Sequence, residues 1–137
     1  MPPLRIYLDT SVLGGLYDPE FAEDSEKLLA LFAEGEAVPV VSSVTEAEVQ
    51  RAPEQVRDAL LTLLEAGGER IPLSSEAETL ATAYIAAGVV SENYEADALH
   101  IALATLAKVD VLVSWNFRHI VNLRRIRGFN GVNLTRG

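Results

Sequence analysis

The apolar and polar positions of the chain alternate between two periods. LRIYL at 4–8 is a short apolar run that closes on Asp9, and it predicts a buried strand. SEKLLALFAEGE at 25–36 places Leu28, Leu29, Leu31 and Phe32 at helical spacing, with Gly35 as a stop. VPVVS at 38–42 is β-rich, and the proline inside it points to a strand start or an edge. SVTEAEVQ at 43–50 predicts a short helix, with Ser43 and Glu46 in capping-box spacing. PEQVRDALLTLLEAGG at 53–68 predicts a longer one, with proline in its first turn and glycines after it. RIPL at 70–73 predicts a short strand, and SEAETLATAYIAAG at 75–88 a helix opened by Ser75 and Glu78 as a capping box. A long helix over 93–108, a strand over 109–114, a helix over 117–126 and a strand over 131–134 complete the order. Strands thus alternate with helices throughout. That pattern predicts an α/β domain whose mostly parallel sheet is covered on both faces. In such sheets the site lies outside the carboxyl ends of the strands, where Asp9 falls.

Composition narrows the class. The 137 residues suit a single domain spanning 1–137, and 49% of them are apolar. No run approaches the roughly 18 apolar residues of a membrane span, and MPPLRIYLD lacks the apolar core of a signal peptide. A soluble, cytoplasmic protein with no membrane association is expected. The absence of cysteine excludes disulfides and thiolate metal sites. The net charge of −9 argues against nucleic acid at first, but it is unevenly distributed. Residues 1–110 hold all 20 acids and six of the eleven bases, while 111–137 hold Arg118, Arg124, Arg125, Arg127 and Arg136 and no acid. This asymmetry fits either a basic edge that attracts phosphates or a solvated tail against an acidic body.

Four residues stand out as candidate chemistry. Asp9 could cap the helix that follows, but Thr10 and Ser11 offer hydroxyls for that job, and a carboxylate at the mouth of a sheet needs a partner or a cation. Glu46 has a capping role in this reading. Glu48, about 200° further round the helix, shares its face with Val44 and Thr45 and is either an ordinary exposed glutamate or one that looks inward. Asp97 is the strongest signal, an acid among apolar positions of EADALHIALATLA, on one side with Ile101 and Ala104. His100, less closely aligned with Asp97, reads as a satisfied core or rim histidine rather than a ligand. Asn116, at the end of a strand, is a turn residue by default and a neutral oxygen ligand or water-holding group otherwise. Together, Asp9, Glu48, Asp97 and Asn116 form an all-oxygen donor set of the kind that suits Mg²⁺ or Mn²⁺ and not zinc.

YLDTSVL, VVSSVTEAEV, EADALHIALA and VLVSWNFRHI, in this order and on these elements, resemble the PIN-domain family, specifically the toxin ribonucleases of VapBC-type toxin–antitoxin pairs. The resemblance covers nearly the whole chain. It implies an α/β/α sandwich with an acidic pocket formed by Asp9, Glu48 and Asp97, with Asn116 in the late loop. It further implies Mg²⁺ or Mn²⁺ held by Asp9, Glu48 and Asp97, with His119 in place of a further acid favouring one ion over two, hydrolysis of RNA phosphodiester bonds, a small antitoxin protein as partner, and a homodimer. Asn116 would orient a water, Thr10 or Ser11 would hydrogen-bond Asp9, and Arg118, Arg124, Arg125 and Arg127 would contact the RNA backbone. The family often carries a further acid where this chain has His119, and that departure keeps open a non-catalytic PIN-like domain that binds RNA or protein. A phosphoaspartate enzyme fits less well, because the position two residues after Asp9 is Ser11 and Lys27 and Lys108 are badly placed. No phosphate-binding glycine motif occurs.

Overall fold

A computed structural model of the chain describes residues 3–88 and 95–115. The expected helix over 117–126, the strand over 131–134, Asn116, His119 and the arginines Arg118, Arg124, Arg125, Arg127 and Arg136 lie outside the described residues. The elements are β1 (Leu4–Leu8), α1 (Thr10–Gly15), α2 (Ala22–Ala33), β2 (Ala37–Ser42), α3 (Ser43–Val49), α4 (Glu54–Glu65), β3 (Glu69–Ile71), α5 (Ser75–Ala86), α6 (Glu95–Leu106) and β4 (Val111–Val113).

The four described strands form an all-parallel sheet in the order β3-β2-β1-β4. Ile6 lies opposite both Pro39 and Val111, and Leu8 lies opposite Val113. Because successive side chains of a strand point to opposite faces, Tyr7 and Val40 join a core with α5 and α6, built on Ala77, Leu80, Tyr84, Ala98 and Leu103. Ile6, Leu8 and Val41 join the other core, with Val12, Leu13, Val49, Leu60 and Leu63. The result is a three-layer α/β/α sandwich. Burial on both faces is why the strands read as continuous apolar runs and not as alternating ones.

Three local expectations are corrected. Pro39 does not mark an edge strand, since β2 lies between β1 and β3. Pairing with β3 begins only at Val40, so at Pro39 the strand still has one neighbour, which is where a missing N–H is tolerated. The cap of α3 is Ser42, not Ser43. Ser42 is the last residue of β2, with extended φ −131° and ψ 173°, and its side chain accepts from the N–H groups of Val44 and Thr45 while Thr45 reciprocates. Glu46 instead pairs with Arg70 of β3. The cap of α5 is likewise one residue earlier than expected, at Ser74, whose Oγ accepts from the Ala77 N–H at 3.1 Å. Gly35, at φ 76°, turns the chain after α2 as its position predicts.

Candidate metal centre

The sheet order reverses at β1: the chain moves outward through β2 and β3 and then returns to place β4 on the other side of β1. Between the carboxyl ends of β1 and β4 lies the crevice where ligands of open α/β sheets bind. Asp9 sits at its mouth. Its N–H continues the ladder to the Val113 carbonyl at 3.2 Å, and its own carbonyl accepts the Val12 N–H at 3.0 Å, opening α1. The Asp9 side chain makes no cap hydrogen bond, so the capping role goes unused. The carboxylate, 4% exposed, is gripped by hydroxyls. Oδ2 accepts from Ser114 Oγ at 2.6 Å and from Ser11 Oγ at 3.2 Å. Ser11 is itself held by the Trp115 N–H at 3.0 Å.

Glu48 reaches the same spot from α3. Its Oε1 accepts from Thr10 Oγ1 at 3.1 Å and lies 2.5 Å from Nε2 of His100 on α6. Burial pushes the Glu48 carboxyl up, but its hydrogen bonds with His100 and Thr10 and the nearby Arg51 charge draw it back below its usual range. His100 Nε2 lies 3.6 Å from Asp9 Oδ1, so the imidazole bridges the two carboxylates. On its far side, Nδ1 is 2.6 Å from Tyr7 Oη, which in turn is 2.7 Å from Ser42 Oγ. Burial pushes the Tyr7 phenol up to about 12, against the lowering effect of the Ser42 and Thr45 hydroxyls.

Asp9, Glu48 and His100 each offer one ligand atom, and these atoms lie within 4.8 Å of one another. Asp9 and Glu48, 39 residues apart in sequence, therefore meet. Asp97 is half-buried on α6, one turn before His100, and has an interaction partner of its own, but it is not one of the three converging groups. Of the two hydroxyls expected beside Asp9, Ser11 holds it, while Thr10 turns instead to Glu48. Ser114, Tyr7 and Ser42 have no role in the sequence reading. A signal existed for His100, a polar residue one helical turn from Asp97 in an otherwise apolar helix. Two carboxylates and an imidazole confined to so small a space suit a divalent cation, and the paired carboxylates suit a hard one.

Residues 6–120 match the PIN domain family model. The fold is similar to that of the VapC20 toxin from Mycobacterium tuberculosis, described as cleaving the sarcin–ricin loop, with a TM-score of 0.66 and 14% identity over 85% of this chain and 93% of that one. It is also similar to VapBC2 from Rickettsia felis, solved bound to a DNA fragment from its promoter, with a TM-score of 0.61 and 20% identity over 86% and 92% of the two chains. No curated protein matches it in sequence.

Proposed function

The chain belongs to the PIN domain family, and from that premise we propose that it is a Mg²⁺- or Mn²⁺-dependent endoribonuclease, the toxin of a type II toxin–antitoxin pair. The observation that carries the reading is the convergence of Asp9 and Glu48, from separate segments, at the switch point of the sheet. The likeness of the fold to that of a toxin described as cleaving the sarcin–ricin loop, and to that of VapBC2, supports it.

In this reading Asp9, Glu48 and Asp97 would hold the ion, directly or through water. A divalent ion there would acidify a water molecule and offset the negative charge of the phosphodiester. Ser11 and Ser114 keep Asp9 aligned by engaging Oδ2, and Thr10 does the same for Glu48. Asn116 would orient a water molecule, and Arg118, Arg124, Arg125 and Arg127 would contact the RNA backbone with salt-dependent affinity. A small antitoxin protein and a second copy of the chain are the expected partners, and the cytoplasm the expected compartment. Among the described residues no helix is long and apolar enough to cross a membrane.

The test pairs Mn²⁺ calorimetry with an RNA-cleavage assay on the full chain and on Asp9→Asn. The wild type should take up Mn²⁺ and cleave, and the variant should stay folded while losing both. Cleavage by Asp9→Asn at the wild-type rate overturns the assignment. Absence of carboxylate-dependent Mn²⁺ uptake favours the non-catalytic PIN-like binding domain.

A further inference from the structure

His100 is fully buried and touches both carboxylates, yet the proposed reaction gives it no task. The direction of the hydrogen bonds around it can be worked out from one end. Ser42 Oγ accepts two backbone N–H groups, from Val44 at 3.2 Å and Thr45 at 3.4 Å. A hydroxyl has one proton and two acceptor positions. With both positions taken, the Ser42 proton goes to Tyr7 Oη at 2.7 Å. The Tyr7 proton then goes to His100 Nδ1 at 2.6 Å. A neutral imidazole that accepts at Nδ1 carries its proton on Nε2, and Nε2 is the atom that faces Glu48 and Asp9.

We infer that the chain running from the N-terminus of α3 through Ser42 and Tyr7 locks His100 as a hydrogen-bond donor to Glu48, which makes His100 a positioning residue and withholds its nitrogen from the metal. The centre then presents oxygen atoms alone. Imidazole nitrogen favours zinc, nickel and copper, whereas carboxylate and water favour magnesium and manganese. The hydroxyl relay is therefore a selectivity device: it keeps a buried histidine beside the carboxylates without offering borderline-soft metals a ligand. The metal half of this inference rests on the proposed metal-dependent function; the tautomer half does not.

The first experiment is ¹⁵N NMR of the histidine-labelled full chain. It should find His100 protonated at Nε2 and bare at Nδ1. A proton on Nδ1, alone or together with Nε2, overturns the inference. The second is calorimetry with Mn²⁺ and with Zn²⁺, each alone, on the wild type and on Tyr7→Phe. Removing the phenol frees the imidazole to switch tautomer, so the affinity for Zn²⁺ relative to Mn²⁺ should rise by roughly 10–100-fold; an unchanged ratio overturns the selectivity role. Should Tyr7→Phe fail to fold, His100→Gln keeps an N–H donor and offers no ring nitrogen. Its Mn²⁺ affinity should stay near wild type while His100→Ala loses about 10–100-fold, and an equal loss in both overturns the positioning role. If Mn²⁺ binds none of these proteins while the NMR result holds, the failure belongs to the proposed function and not to the tautomer.

Discussion

A single carboxylate, Asp9, shows how much rests on individual donors. It lies almost wholly out of solvent and receives its shortest hydrogen bond, 2.6 Å, from a residue 105 positions away. Hydrogen bonds to charged groups are worth about 1.5–3 kcal/mol. Ser114→Ala should therefore lower stability by about 1.5–3 kcal/mol in urea unfolding, with Ser11→Ala costing less because its contact is longer, at 3.2 Å. The reverse order would mean that Ser11 is the principal support. That Asp9 would find a hydroxyl was legible from Thr10 and Ser11 beside it in sequence. Which hydroxyl would dominate was not, because β4 delivers Ser114 only once it pairs with β1.

Among the elements, α1 is short and rests on one close approach. A Cβ on Gly15 would come within 2.6 Å of the Trp115 ring and 2.7 Å of Ser25 Oγ. Trp115 stacks on Phe21 with centroids 5.7 Å apart and donates from Nε1 to Ser25 Oγ at 3.0 Å. The neighbouring Gly14 has open space where its Cβ would be. Gly15→Ala should destabilise by about 1–3 kcal/mol, as overpacking does, and shift Trp115 fluorescence. Gly14→Ala should stabilise by about 0.5–1 kcal/mol. Thermal melts of the two variants, moving in opposite directions, check both. The pair GG in the sequence hides this difference, since the ring that makes Gly15 indispensable comes from a residue 100 positions further along the chain. The caps tell a similar story. Serines and threonines near 42–45 and 74–75 announced helix starts, but the choice of Ser42 over Ser43 depended on where β2 stops pairing.

At the scale of the whole molecule, Tyr7 links the sheet to the site. Its phenol is raised to about 12 from an ordinary value of 10.0, chiefly by burial. The folded protein thus holds the phenolic proton more tightly than the unfolded chain does. Its contribution is complete below pH 10 and is lost as pH rises towards 12. Two pKa units correspond to about 2–3 kcal/mol. Urea unfolding across that alkaline window should show the wild type losing about this much more stability than Tyr7→Phe. Parallel loss in both would mean that other groups govern alkaline unfolding.

The alternation of strands and helices among the described residues, the parallel α/β class, the covered faces and the identity of Asp9 as an unusual acid were all determined by the sequence itself. They depend on periodicity and on residues adjacent in the chain, which local physics can read. The meeting of Asp9 with Glu48, the bridging position of His100 and the hydroxyl relay behind it were decided only by the tertiary structure. Strand order brings β4 back beside β1 and sets α6 over Tyr7, and no local pattern encodes which of many buried polar atoms will come within reach of one another.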